Sequence, residues 1–213
     1  MSDANYIGRE IEINIDLASF TNYLKLIGFL GKIESEEHHV NVFFDTEDRL
    51  LSQNGWALRV RAENSRGLVT VKSIPEREGM AVVRQEIEAE IPRGQSLDII
   101  NLHQDIMSLN VMPIDFIKEK VQDVPLCRLV KFENTRQKKV FKIADCNFLL
   151  EIDKTEYNDG SVDYELELEL NHTNNLDIVE DQLRKLFNSL DIPFTHQKTS
   201  KFHRALIKAG IFE

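Results

Sequence analysis

Cysteine, glycine and proline are scarce in this chain, at two, nine and five among 213 residues. Cys127 and Cys146 are single, with no C-x-x-C partner, which excludes a disulfide framework and a paired-thiol zinc site. They read as reduced thiols in a reducing compartment. The few glycines and prolines fall between periodic segments, no Pro/Gly/Ser-rich linker divides the chain, and no period of roughly 20–50 residues repeats. One continuous domain over residues 1–213 is therefore expected. Basic residues are outnumbered 26 to 36, for a formal charge of −10, which argues against a nucleic-acid partner. A small anionic ligand stays open, because local fields can oppose the net charge. No apolar run approaches the roughly 18 residues of a membrane helix. Residues 1–6 lack a charged region leading into an apolar stretch, so no signal peptide is visible and a cytoplasmic protein without a membrane partner is expected.

What is present is periodicity. From Asp16 to Leu30, the residues Leu17, Phe20, Tyr23, Leu24, Ile27 and Leu30 share a stripe, with Gly31 as a stop signal. Ser96 to Leu109, Pro113 to Val121, Leu176 to Leu190 and Lys198 to Ala209 predict further helices. Between them lie strands whose side chains alternate with period two. Glu10 to Ile15 sets Glu10, Glu12 and Asn14 against three isoleucines. Leu58 to Glu63 groups Arg59, Arg61 and Glu63, and Leu68 to Lys72 groups Thr70 with Lys72. Arg84 to Ile91 aligns Arg84, Glu86, Glu88 and Glu90. Arg136 shares a face with Lys138 within Asn134 to Ile143, and Glu151 shares one with Asp153 within Leu149 to Asp153. Tyr164 to Leu170 aligns Glu165, Glu167 and Glu169 opposite Tyr and three leucines.

An amphipathic antiparallel sheet with its charged face in water accounts for any one of these strands. Solvated strand faces, however, use Thr, Ser, Lys, Gln and Asn freely, and strands disfavour Glu and Asp. Here nearly every polar position is Arg, Lys, Glu or Asp. The alternative is a sheet closed into a barrel, which removes its edges, with both signs of charge facing inward. Such an interior is costly unless a ligand or metal compensates. Clustered carboxylates suit hard cations such as Mg²⁺, and clustered Arg and Lys suit phosphate oxygens. Together they describe a site for a metal–polyphosphate complex.

Glu10-Ile11-Glu12-Ile13-Asn14 is similar to an E-x-E-x-K signature, followed by Phe43-Phe44-Asp45-Thr46, Ala57-Leu58-Arg59-Val60-Arg61 and Thr70-Val71-Lys72. The series continues through Arg84-Gln85-Glu86-Ile87-Glu88, Arg136, Asp153, Glu165 to Glu169, and Ser200-Lys201-Phe202. In order and spacing, from about residue 7 to residue 207, the chain resembles the CYTH, or triphosphate tunnel metalloenzyme, superfamily. The resemblance implies an α+β fold: an eight-stranded antiparallel closed barrel forming a charged tunnel, with helices outside. It implies metal-dependent hydrolysis of a small-molecule triphosphate, either inorganic tripolyphosphate, thiamine triphosphate or a nucleoside triphosphate. Cyclisation of ATP is the alternative, and a non-catalytic polyphosphate- or nucleotide-binding module is the third reading. Mg²⁺ or Mn²⁺ is the implied cofactor.

Residue by residue, the resemblance places Glu10 and Glu12 among the metal-holding carboxylates. Asp153 and two of Glu165, Glu167 and Glu169, which parity keeps on one face, match its remaining acidic positions, and Glu86 and Glu88 join them as metal candidates. Arg59, Arg61, Lys72, Arg84 and Arg136 match the positions that grip phosphates. Glu10, Glu12, Arg59, Lys72 and Asp153 are the expected catalytic set. A lysine near the end of the chain belongs to the pattern, and both Lys198 and Lys201 qualify. The resemblance sets a lysine where this chain has Asn14, which can still donate a hydrogen bond to phosphate, without a charge. Lys138, on the Arg136 face, is a candidate to compensate. Elsewhere, His38 and His39 are expected just before a strand, Glu34, Glu36 and Glu37 in solvent, Trp56 in the core, and Arg77-Glu78-Gly79 in a turn at the tunnel mouth. A monomer or a homodimer is expected.

Overall fold

Strand periodicity decides the architecture, because most of the long strands have one apolar and one polar face. The structure is a computed structural model and describes residues 5–122, 124–143, 146–170, 172 and 176–212. The chain runs β1 (Asn5–Asp16), α1 (Phe20–Leu30), β2 (Ser35–Thr46), α2 (Leu50–Gln53), β3 (Trp56–Ala62), β4 (Arg66–Ser73), β5 (Glu76–Glu78) and β6 (Ala81–Pro92). It continues with α3 (Arg93–Ile100), α4 (Met112–Val121), β7 (Leu126–Ile143), β8 (Cys146–Tyr157), β9 (Val162–Glu169), α5 (Leu176–Ser189), β10 (Thr195–His196) and α6 (Lys201–Lys208). Going round, β1 pairs with β9, then β8, β7, β2, β3, β4 and β6, and β6 returns to β1. All pairs are antiparallel, so eight strands close a barrel. The short β5 adds to β6, and β10 takes over the β1 edge at Ile15 and Asp16 where β6 ends.

The apolar faces point outward and are covered by helices. Ile13, Ile15, Leu150, Ile152, Leu166 and Leu168 form one core with Leu26 of α1 and Leu183 and Phe187 of α5. Val42, Leu58, Val60, Val69 and Val71 form another with Leu51 of α2, Ile99 of α3 and Ile114 and Ile117 of α4. Each such buried side chain contributes roughly 1.5–3 kcal/mol. A third cluster differs in kind. Phe43, Phe132 and Tyr157 point to the barrel interior, and Ala205 and Leu206 of α6 pack on them, so α6 closes one end.

Element boundaries depart from the periodicity at the caps. The first helix begins at Phe20, not Asp16: Ala18 takes φ 59°, and Ser19 caps the helix by accepting from the Asn22 N–H at 3.2 Å. The segment from Ser96 to Leu109 is not one helix. α3 ends at Ile100, Leu102 takes φ 63°, and a single 3₁₀ turn follows at Ile106–Ser108. α6 starts three residues later than expected because Ser200 caps it, accepting from the His203 N–H. His38 and His39 lie inside β2, not before it. Of the acidic run beside them, Glu34 and Glu36 are exposed, but Glu37 turns toward the barrel interior and is half-buried. The turn expected at residues 77–79 is confined to Gly79 and Met80, with Arg77 and Glu78 in β5. Trp56 packs on the second core, its ring edge-on to Phe116. No described helix is long and apolar enough to cross a membrane.

Candidate active site

The inward parity of the eight strands brings most of the sequence-predicted residues into one cavity of about 490 Å³. The pairing register places Arg84 opposite Glu10, Glu12 opposite Glu169 and Asn14 opposite Glu167. It also places Glu151 opposite Glu167 and Lys138, Arg136 opposite Asp153, Arg59 opposite Thr70, and Lys72 opposite Glu86. Glu10, Glu12, Asn14, Arg59, Arg61, Lys72, Arg84, Glu86, Glu88, Arg136, Lys138, Glu165, Glu167, Glu169, Lys198 and Lys201 all line the cavity. Asp153 lies beneath that lining, fully buried.

Charge is not spread evenly over this wall. On one side, Lys72 Nζ lies 2.7 and 2.8 Å from the two Glu10 oxygens and 3.3 Å from Glu86 Oε1. Arg84 contacts Glu12 through Nη2, while its Nε lies 3.1 Å from Glu10 Oε2 but out of line for a hydrogen bond. Burial alone would raise the Glu10 carboxyl, yet the Lys72 and Arg84 charges hold it at about 2. Glu12 behaves oppositely. Burial and then the Glu10 charge raise it to about 7, against the pull of Arg84.

Across the barrel, Arg136 forks onto Asp153 at 2.8 and 2.6 Å and contacts Glu151 and Glu167. Lys201, at the start of α6, lies 2.8 Å from Asp153 Oδ2 and 2.6 Å from Glu167 Oε1, and also contacts Glu165. Burial opposes ionisation here too, but Arg136 and then Lys201 keep Asp153 at about 2. Lys201 is raised despite its burial, because Asp153, Glu165 and Glu167 surround it. Between the two candidate lysines, Lys201 enters the carboxylate nest, and Lys198 stays exposed at the rim.

The remaining wall holds positive charge with weak anionic company. Arg59 Nη2 donates to the Thr70 hydroxyl at 3.1 Å, and Arg61 Nε donates to Asn41 Oδ1 at 2.9 Å. The Glu88 and Glu63 oxygens stand off at 3.7 and 3.6 Å. Arg59 Nε is buried with no hydrogen-bond partner among the described residues. Burial, then Arg59 and Arg136, lower Arg61 to about 10, still charged at neutral pH. Lys138 lies 3.0 Å from Glu37 and 3.5 Å from Glu151, on the same side.

The donor set fits a hard divalent cation. Oxygens of Asp153, Glu165 and Glu167 lie within 4.8 Å of one another, and the Lys201 ammonium already sits among them as a stand-in cation. Glu10 and Glu12 supply further hard oxygens from β1. Glu169 lies opposite Glu12 but is exposed, at the open end of β9.

Sequence reasoning missed several residues of this wall. His39, 1% exposed, lies 3.1 Å from Glu37 and 3.7 Å from Glu63. Burial, then Arg61 and Arg136, hold it neutral, at about 2. Arg204, one turn after Lys201, contacts Glu165 and lies 2.8 Å from Asp163. The alternation Glu37, His39, Asn41 was the available signal for the former, and the i, i+3 spacing of Lys201 and Arg204 for the latter.

The CYTH domain profile matches residues 8–202. No curated protein matches the chain. Among solved structures, HpAC1 of Hippeastrum, an adenylyl cyclase candidate with a dominant triphosphatase activity, is 24% identical over 96% of this chain and 97% of its own, with a TM-score of 0.82. An adenylate cyclase candidate of Bacillus halodurans is 20% identical over 92% and 98%, with a TM-score of 0.69. A protein of Pyrococcus horikoshii OT3 is 18% identical over 92% and 99%, with a TM-score of 0.59. At these identities the likeness is one of fold.

Proposed function

The chain belongs to the CYTH domain family, and from that premise we propose that it hydrolyses a small-molecule triphosphate held in the barrel interior with Mg²⁺ or Mn²⁺. The observation that carries this reading is the unequal pairing of charge. Arg59 and Arg61 rest on a neutral hydroxyl and a neutral amide, so their charge is available to an anion that enters. A polyphosphate needs several such donors in a row, and charge-assisted bonds from arginine are the strong ones. Arg59, Arg61 and Lys138 would hold phosphate oxygens, and Lys72, Arg84 and Arg136 would follow once the cation takes over their carboxylates. Glu10, Glu12, Asp153, Glu165 and Glu167 would hold the cation, with Glu169 at the rim and Glu86 and Glu88 within reach of Lys72 and Arg59. When bound, that cation would neutralise phosphate oxygens and activate water. Attack of water on the terminal phosphorus breaks its bridging P–O bond and releases phosphate and a diphosphate, with a proton passing to solvent. The arginines and lysines neutralise the charge that moves onto the leaving group. HpAC1, whose triphosphatase activity is dominant, shares this fold over nearly the whole chain, which supports hydrolysis over cyclisation. The reading treats residues 1–213 as one tunnel domain, monomeric or dimeric, without a nucleic-acid partner. Unpaired, exposed Cys127 and Cys146 fit a cytoplasmic location.

The test is incubation of purified protein with tripolyphosphate, thiamine triphosphate or ATP, each with Mg²⁺, Mn²⁺ or EDTA. Phosphate, pyrophosphate and cyclic AMP are measured separately. Metal-dependent phosphate release is the expected outcome. Cyclic AMP with pyrophosphate would replace hydrolysis by cyclisation. Thermal stabilisation by tripolyphosphate without turnover would reduce the protein to a binding module.

A further inference from the structure

Asn14 lines the barrel interior near the middle of the acidic wall and is 9% exposed. Its Nδ2 donates to Glu12 Oε1 at 2.9 Å, so the donor that would reach a phosphate is already engaged. That bond also orients the amide, because Glu12 Oε1 accepts from Arg84 as well, and the reverse orientation would set two acceptor oxygens against each other. Oδ1 is buried and has no hydrogen-bond partner among the described residues. A buried acceptor left unpaired costs about 1–3 kcal/mol, so it calls for an occupant.

The neighbours narrow what that occupant is. Asn14 stands opposite Glu167 in the register, and Glu12 shares its face two residues before. Both neighbours are acceptors, and their cations are committed: Arg84 to Glu10 and Glu12, Arg136 and Lys201 to Asp153 and Glu167. A water donates to at most two oxygens, whereas a cation satisfies an amide oxygen and two carboxylates together. Hard divalent cations take neutral carbonyl oxygens from Asn beside carboxylates. We propose that Asn14 acts on the cation and not on the phosphates: its Oδ1 is a direct ligand, completing a corner formed with Glu12 and Glu167. The inference rests on the metal-dependent reading above and adds a ligand to it.

The test measures Mn²⁺ binding to the full chain at pH 8 without any triphosphate, by the loss of the free Mn²⁺ electron paramagnetic resonance signal. Asn14→Leu removes the oxygen at similar volume and is expected to weaken binding at least about tenfold, the loss that even an outer partner of a metal ligand causes. Asn14→Asp keeps an oxygen there and is expected to bind at least as tightly as wild type. Wild-type affinity in Asn14→Leu would overturn the inference while leaving the metal-dependent reading intact. If the Leu variant fails to fold, weaker binding by Asn14→Asp overturns it instead. Absence of Mn²⁺ binding by the wild type would overturn both.

Discussion

In the proposed cation site, Glu12 would set a pH at which binding strength changes. The carboxyl sits at about 7 because it is buried beside the Glu10 charge. Glu10 is ionised throughout, at about 2, under Lys72 and Arg84. A cation held by Glu12 needs the ionised form, so binding releases whatever proton the free protein carried. The direction follows directly. Free protein keeps the Glu12 proton below about 7 and the cation-bound form does not, so binding is at full strength above that value and weakens as pH falls through it. One competing proton divides the affinity by 1 + 10^(7 − pH), about 11 at pH 6 and about 1.1 at pH 8, a roughly tenfold difference.

The assay is titration calorimetry with Mn²⁺ at both pH values, in two buffers of different ionisation enthalpy. Proton release should be about 0.9 per cation at pH 6 and about 0.1 at pH 8. The buried histidine of the cavity does not contribute, because His39 is neutral throughout this range, at about 2. Glu12→Gln should remove the release at pH 6. Equal affinity at pH 6 and pH 8 with no proton released would refute the placement of Glu12 at the cation.

The two classes of arginine should separate experimentally. Arg59→Ala removes a charge-assisted donor worth about 1.5–3 kcal/mol, so KM for the triphosphate rises roughly tenfold to a hundredfold. Its melting temperature changes little, since among the described residues Arg59 donates only to the Thr70 hydroxyl and stands 3.7 Å from Glu88. Arg136→Ala leaves Asp153, Glu151 and Glu167 without their shared cation and costs about 3–5 kcal/mol of stability in chemical denaturation. Lys201→Met vacates the nest of Asp153, Glu165 and Glu167, so Mn²⁺ should bind more tightly while triphosphate turnover falls. Phe187→Ala, at a fully buried position under α5, should cost about 3–5 kcal/mol in urea unfolding and leave Mn²⁺ binding unchanged.

The barrel was legible because parity is robust. Glu10, Glu12 and Asn14 share a face with any strand boundaries, and so do Glu165, Glu167 and Glu169. What period two does not carry is which face turns inward, and that came from the choice of Arg, Lys, Glu or Asp at nearly every polar position of seven strands. The start of β2 was obscured by the same chemistry. Glu36, Glu37, His38 and His39 have poor strand propensity, and only their partners on β7, such as Arg136 opposite Glu37, make a strand of them. Helix starts at Phe20 and Lys201 depended on the capping bonds of Ser19 and Ser200, which the periodicity of the apolar residues does not carry. Within the site, the sequence supplied residue types but not partners. Lys198 and Lys201 look alike at three residues' spacing, and only the cap at Ser200 turns the second one into the nest.

Those partners explain how a barrel can carry so many buried charges before any ligand arrives. Isolated, each would be expensive to desolvate, and a half-satisfied network would be worse than an apolar interior. Here the carboxylates of β1, β8 and β9 are met by Lys72, Arg84, Arg136 and Lys201. Under the triphosphate reading, a metal–polyphosphate complex then adds little new buried charge. Its cation replaces ammonium and guanidinium groups on the carboxylates, and its phosphates receive the groups so released, alongside Arg59 and Arg61. Binding becomes an exchange of partners within a wall that stays close to neutral. Under that reading Lys201 must give way, because its ammonium occupies the cluster of Asp153, Glu165 and Glu167. It sits in the first turn of α6, the helix that closes one end of the barrel on Phe43 and Phe132. Under that reading, cation binding and the seating of the helix would be coupled through Lys201 and Arg204, which both reach Glu165.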